Sequence, residues 1–240
     1  MGKFFYVRMA GVFIVLQMAS GCAVDRSTIP VDLANNISNP AKGVNIKIVS
    51  VEDTRVFEFK PRTPSIPSLS ETEIVSPEIQ ARAVARKRNG YGQAFGDVVL
   101  PEGETVAGVM TRALTNAFRS DGYRVLNAND PDYSEAYPVT VQIVQFWSWI
   151  EWGFWQLPLH NTSEIVLKSS VRSLEKKVAV NNEVIENHTA IFESDWQQNV
   201  MRGMEELSTK AVQEFRKSVQ QPMDVNKQDL KVQASSSASS

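Results

Sequence analysis

Apolar and polar residues alternate strictly in Val44-Asn45-Ile46-Lys47-Ile48, the period of a strand with one buried face. A long stretch without period follows, with Pro61, Pro64 and Pro67 spaced by three. Residues 77–88 (Pro-Glu-Ile-Gln-Ala-Arg-Ala-Val-Ala-Arg-Lys-Arg) read as a short basic helix stopped by Asn89-Gly90. The clearest helix runs from Glu104 to Ser120, where Val106, Val109, Met110, Ala113, Leu114, Ala117 and Phe118 form one stripe. Asp121-Gly122 closes it, and Tyr123 to Leu126 is a short strand. From Val139 to about Ile150 alternation returns, with Val139, Val141, Ile143, Trp147 and Trp149 on one side. Ile165, Leu167 and Val171 carry a further strand, and 177–180 and 184–192 a last strand pair around the turn-prone Asn181-Asn182. Ser194 and Gln197 fit a capping box for a final helix, with Trp196, Val200, Met204, Leu207, Ala211 and Phe215 as its stripe. This order predicts one α+β domain over residues 43–220, two helices packed on one face of a largely antiparallel sheet.

The segments outside that domain read differently. Residues 23–42 are polar and without period, a flexible tether from residue 22 onward, and the serine-rich stretch 221–240 is a disordered tail. At the N-terminus, Lys3 and Arg8 precede an apolar run from Met9 to Met18, then the small residues Ala19-Ser20-Gly21 and Cys22. Ten or so apolar residues are too few for a lasting transmembrane helix, which needs about 20. Charge, apolar core and small-residue site together make 1–21 a secretory signal. Met18-Ala19-Ser20-Gly21-Cys22 resembles the lipobox of bacterial lipoproteins. That resemblance implies diacylglycerol on the Cys22 sulfur, palmitate-type acyl chains in the membrane, and loss of residues 1–21. Two or three such chains anchor a protein essentially permanently, whereas one holds only weakly. Ala23 stands where Asp is the usual inner-membrane retention signal, so the analogy points to the outer membrane, facing the periplasm.

Composition narrows the chemistry. The formal net charge of −2 over 240 residues gives no reason to expect nucleic acid as a partner. Cys22 is the sole cysteine, and acylation leaves no thiol for a disulfide, a metal or catalysis. His160 and His188 lack metal-ligand spacing, and no nucleophile elbow or zincin motif is present, so neither a metal, a cofactor nor enzymatic activity is expected. Gly90-Tyr91-Gly92-Gln93-Ala94-Phe95-Gly96 has the wrong spacing for a dinucleotide loop and reads as an ordinary loop.

Asp53-Thr54-Arg55 after the first strand, and a helix closing in Phe118-Arg119-Ser120-Asp121-Gly122-Tyr123-Arg124-Val125, are joined to the lipobox. In these features the chain resembles the YajG-like family of bacterial lipoproteins. The resemblance spans most of 43–218, implies the α+β fold, and carries no catalytic residue. Related two-layer lipoproteins include auxiliary components of envelope ABC-type transporters. The long insertion after Arg55 and the tryptophan cluster are departures from the family pattern.

Residues 146–155 hold four of the five tryptophans. Tryptophan offers a large apolar surface and one N–H donor, which suits interfaces and membrane boundaries. Trp147, Trp149, Trp152, Phe154 and Trp155 are therefore the candidate partner-binding residues, with core packing and membrane contact as the competing readings. Gly153 and Pro158 place Phe154 and Trp155 at a hairpin tip. Asp53 and Arg55 are a candidate structural ion pair. Arg82, Arg86, Lys87 and Arg88 read as a solvated helix face, with anionic headgroups as the alternative. The function expected is a non-enzymatic membrane-anchored lipoprotein that binds an envelope protein partner in assembly or maintenance of the envelope or a surface structure. The alternative is a transport auxiliary that binds lipid or another amphiphile. A flat exposed aromatic patch would favour the first, a deep apolar pocket the second.

Overall fold

The computed structural model describes residues 26–33, 37–170 and 177–220. The signal segment, Cys22 and the serine-rich tail lie outside the described residues. In chain order the elements are β1 (Ser27–Thr28), β2 (Asn45–Asp53), β3 (Glu58–Phe59), β4 (Ser68–Leu69), α1 (Pro77–Arg82), β5 (Ala83–Arg88), β6 (Ala94–Val99), α2 (Val106–Ser120), β7 (Arg124–Val125), β8 (Tyr137–Ile150), β9 (Leu157–Ser169), β10 (Val178–His188) and α3 (Glu193–Gln220).

Among the described residues the main sheet has eight strands, and it is mixed rather than largely antiparallel. Of its seven pairings, β1–β6, β2–β7, β2–β8 and β5–β8 are parallel; β5–β6, β8–β9 and β9–β10 are antiparallel. Alternation reveals which face of a strand is buried and says nothing of its direction. Here the parallel neighbours β2 and β8 are joined by a long connection through β5, β6, α2 and β7, and a long crossover of this kind is what parallel neighbours need. β8 is the central strand: β9 lies along one edge, while β2 and then β5 share the other.

Three helices form, but the first is shorter than the pattern predicts. Ser76 caps α1 and Pro77 opens it, but the helix ends at Arg82. The rest of the expected basic helix is β5, because Ala83, Val84 and Ala85 are buried in the middle of the sheet and that packing overrides helix propensity. α2 and α3 cover one sheet face with the expected stripes, Leu114 and Phe118 meeting Leu207 and Phe215 in the main core. Thr105 caps α2 through a bond from the Gly108 amide (3.0 Å). At α3 the Asp195 carboxylate, not Gln197, reaches back to the Phe192 amide (2.7 Å). Part of the opposite sheet face, around β5, β6 and the later half of β8, is also covered. Residues 57–79 lie over it and close a second, smaller core around Leu69, Ala83, Val99 and Trp147. Proline carbonyls serve this layer: Pro64 accepts from Trp147 Nε1 (3.2 Å) and Pro61 from Arg88 (3.1 Å).

Among the described residues the folded body already includes Arg26 to Leu33, part of the stretch expected to be tether. Ser27–Thr28 pairs with β6, Ile29 and Val31 are buried, and the Asn39 amide exchanges two bonds of 2.9 Å with the Val125 backbone. Two apolar residues are too few to show a period, and Asn39 imitates a strand neighbour with its side chain. Asn181-Asn182 forms no turn either; β10 runs straight through it, with the Asn182 amide oxygen taking a bond from Lys210 on α3 (2.6 Å).

Candidate functional site

One irregularity decides where the tryptophans point. The β8–β9 register shifts between Ile143 and Gln145, a bulge that leaves Val144 exposed and reverses the alternation beyond it. Before the bulge Val139, Val141 and Ile143 face the helices; after it Phe146, Ser148 and Ile150 do. Trp147 and Trp149 are thereby moved to the other face, where Trp147 is fully buried against Phe57 and Leu69. Trp149 stacks on His160 at 4.0 Å and is partly covered. These two residues belong to packing, so the five aromatic candidates do not form one patch.

The other three do gather. Glu151 to Gln156 form the tip of the β8–β9 hairpin, where Phe154 is 89% and Trp155 84% exposed, in edge contact with each other at 4.8 Å. Gly153 is obligatory there, since a Cβ would stand 2.6 Å from the Gln156 carbonyl. Trp152 is 48% exposed and donates its indole N–H to the Arg88 carbonyl (2.8 Å). Arg88 ends β5, so this bond joins the β8–β9 tip to the neighbouring β5–β6 tip. There the Asn89 side chain accepts from the amides of Tyr91 (3.0 Å) and Gln93 (2.9 Å), Gly92 adopts φ +80°, and Tyr91 projects with 99% exposure. Asn89-Gly90 thus turns a hairpin instead of stopping a helix. β10 ends at the same level, His188 pairing with Leu157, and Phe192 follows it with 67% exposure. Tyr91, Trp152, Phe154, Trp155 and Phe192 therefore crown one end of the sheet. Single aromatics carry no period, so Tyr91 and Phe192 gave no signal in the sequence.

The remaining candidates are structural. Asp53 and Arg55 form a bidentate pair (2.8 and 2.7 Å). The Arg55 guanidinium spends its other N–H groups on the carbonyls of Ala83, Phe146 and Gln80, tying β2, α1, β5 and β8 together. The basic run is no solvated helix face. Arg82 and Arg88 are buried and bond to backbone carbonyls, Lys87 bonds Ser27 (2.8 Å), and Arg86 faces Asp97 (3.2 Å). His160 lies between Glu151 and Glu183 (3.2 and 3.4 Å), and no group of three metal-ligating side chains occurs among the described residues.

Two surface depressions were not foreseen. One of about 380 Å³ is lined by Arg26, Glu73, Arg86 and Asp97; the other, about 210 Å³, by Glu52, Gln142, Lys168 and Lys177. The first is polar and open; the second has a mixed lining that includes Val166 as well as charged residues. In the first, burial above all pushes the Asp97 carboxyl up to about 6, with the neighbouring Glu73 adding to it against the pull of Arg86 and Arg26. Burial works the same way on Glu73, but bonds from Ser70, Asp97 and Arg26 outweigh it and leave that carboxyl below its ordinary range.

No protein-family model matches the sequence, and no curated protein matches it. Solved structures share parts of its shape at 10% identity. An uncharacterized protein covers 80% of this chain and 97% of its own, with a TM-score of 0.42. Protein XCC0632 from Xanthomonas campestris, of the DUF330 family, covers 81% and 96% at 0.44. A minor lipoprotein from Acinetobacter baumannii covers 44% and 81% at 0.30. Likeness at this level fixes neither a family nor an activity. The resemblance to YajG-like lipoproteins accordingly rests on the short motifs that suggested it.

Proposed function

We propose that the protein is a non-enzymatic lipoprotein of the bacterial envelope, held by acylated Cys22 in the outer membrane on its periplasmic side. It acts by surface contact with another envelope component during assembly or maintenance of the envelope or a surface structure. A protein is the component that the sequence analysis expects. The observation that carries this reading is the aromatic end. Large aromatic side chains are presented to solvent by two tied hairpins, and exposed apolar clusters of that kind mark contact surfaces. The transport-auxiliary alternative needs a deep apolar chamber for an amphiphile, and neither depression is one: the larger is polar and open, and the smaller is rimmed by Glu52, Lys168 and Lys177.

Two measurements test it. Intact mass of membrane-extracted protein should show acyl chains on Cys22 and no residues 1–21; an unacylated chain retaining them would overturn the anchor. Phe154→Ala with Trp155→Ala should leave the protein at normal abundance yet reproduce the envelope defects of a deletion strain. Full function of that double variant would remove the aromatic end from the mechanism. Lipid retained inside the detergent-free soluble body in native mass spectrometry would favour the auxiliary alternative.

A further inference from the structure

We infer that the surface met by the aromatic end is the bilayer that holds the Cys22 acyl chains, so that the body is docked tips-down on its own membrane. The inference rests on the lipid anchor of the proposed function and commits the aromatic residues to lipid, which leaves contact with a protein to the rest of the body.

Chain direction and chain length carry the argument. β1 runs parallel to β6, Ser27 opposite Val98, so the chain enters the sheet from the side where β6 begins. That side is the β5–β6 tip with Tyr91, beside the β8–β9 tip with Trp152, Phe154 and Trp155. Cys22 is four residues before Arg26, a reach of at most about 14 Å. Arg26 sits beside Asp97 (3.6 Å). Asp97 stands four residues along β6 from Gln93, about 13 Å of strand below the tip. An anchor at Cys22 can therefore just attain the level of the tips, and it holds this end of the sheet against the membrane surface. α3 starts at that end and runs away from it for 28 residues, about 42 Å of helix, which carries the far end out of reach.

The chemistry of the end matches its position. Tyrosine and tryptophan concentrate at membrane–water boundaries, where an apolar ring and a polar edge are both satisfied. Tyr91, Trp152 and Trp155 are of this type, with Phe154 and Phe192 supplying wholly apolar surface. Lys60 and Arg62 flank Pro61, whose carbonyl is bonded to Arg88 at the end of β5, and they place two exposed cations near headgroup phosphates. Glu151 at the same end is engaged with His160. A flexible 20-residue tether would have left the orientation free; the burial of Ile29 and Val31 removes that freedom.

The full acylated protein, reconstituted in phosphatidylcholine liposomes, provides the test. With bromine on the acyl chains, tryptophan emission should be quenched relative to unbrominated lipid. Trp152→Phe with Trp155→Phe should lose most of that quenching, because Trp147 and Trp196 are buried in the body and the Trp149 ring is covered by His160. Equal emission in the two lipids, or undiminished quenching in the double variant, would overturn the inference. In cells, p-benzoylphenylalanine at position 154 should form lipid adducts. A discrete protein adduct instead would assign the end to a protein, defeating the inference while leaving the lipoprotein reading intact. Failure of acylation at Cys22, seen by mass, would strike that reading itself.

Discussion

The indole N–H of Trp152 points back at the Arg88 carbonyl, 2.8 Å away, and so ties two hairpin tips that are otherwise separate in the chain. Gly90 lies directly against the same ring, where a Cβ would stand 3.5 Å from it. The ring is thus half structural and half exposed. Trp152→Phe keeps the apolar contact and loses one bond, an expected cost of about 1 kcal/mol. Trp155→Ala, by contrast, removes a side chain with 84% exposure and should shift stability by less than about 0.5 kcal/mol. Trp147→Ala empties a fully buried site and should cost about 3–5 kcal/mol. Urea denaturation of the three variants checks the order, and a Trp155→Ala loss as large as that of Trp147→Ala would contradict the exposed tip.

Arg55 is where β2, α1, β5 and β8 meet, since its guanidinium satisfies three backbone carbonyls as well as Asp53. Its side chain is fully buried, so Arg55→Ala leaves a carboxylate and three carbonyls without their donor. Breaking a buried pair on one side costs about 3–5 kcal/mol. Arg55→Lys should recover little, because one ammonium cannot reproduce the planar fork. Asp53→Asn combined with Arg55→Met should cost less than the sum of the two single changes. Additive losses in chemical denaturation would show that the two side chains act independently.

How much of this was legible in the sequence depends on the length of each pattern. The stripes of α2 and α3 repeat over four turns or more, and the buried residues there are those the period selects. In β8 alternation selects the helix-facing residues up to Ile143, but one inserted residue at Val144 reverses it, and nothing in the local sequence announces a bulge. The bulge alone puts Trp147 and Trp149 on the face opposite to the one alternation predicts. The β1 strap leaves no sequence signal because its pairing spans two residues and its apolar content is Ile29 and Val31. Strand direction, and with it the mixed sheet, depends on which crossover packs where, which only the assembled fold shows. The hairpin tip with Phe154 and Trp155 was visible in Gly153 and Pro158; that Tyr91 and Phe192 would join it was not.

A polar seam beneath α3 offers a sharper steric test. Asn161 Nδ2 donates to Ser148 (2.9 Å), Ser148 to Asn199 (2.9 Å), and Asn199 to Glu186 (3.0 Å), all between sheet and helix. Gly203 on α3 makes room for it, since a Cβ there would meet Asn161 Oδ1 at 2.2 Å. Gly→Ala inside a helix ordinarily stabilises by up to about 1 kcal/mol. Here the overlap should reverse the sign, with a net loss of about 1–3 kcal/mol. Asn161→Ala should relieve part of the Gly203→Ala penalty, because it removes the obstructing oxygen. A stabilised Gly203→Ala single variant would show that helix and sheet are not packed this closely.

The carboxyl of Asp97 supplies a pH dependence with a definite sign. It is nearly fully buried between Arg86 (3.2 Å) and Arg26 (3.6 Å), with Glu73 beside it, and burial lifts it to about 6. The unfolded chain releases this proton near about 4. Between those values the folded state binds more protons than the unfolded one, so this group's contribution is complete below about pH 4 and is lost as pH rises through about 6. Glu73, shifted down, acts in the opposite sense: its contribution is present above the ordinary glutamate range and lost on acidification. The two tendencies overlap in the wild type and separate in a variant. Asp97→Asn removes the descending limb and keeps the Glu73 limb. Its stability relative to wild type should therefore improve steadily from about pH 4 to pH 6 and level off beyond. Urea midpoints of both proteins across pH 4–7 measure that difference, and a difference flat over the whole window would mean that Asp97 titrates as an ordinary exposed aspartate.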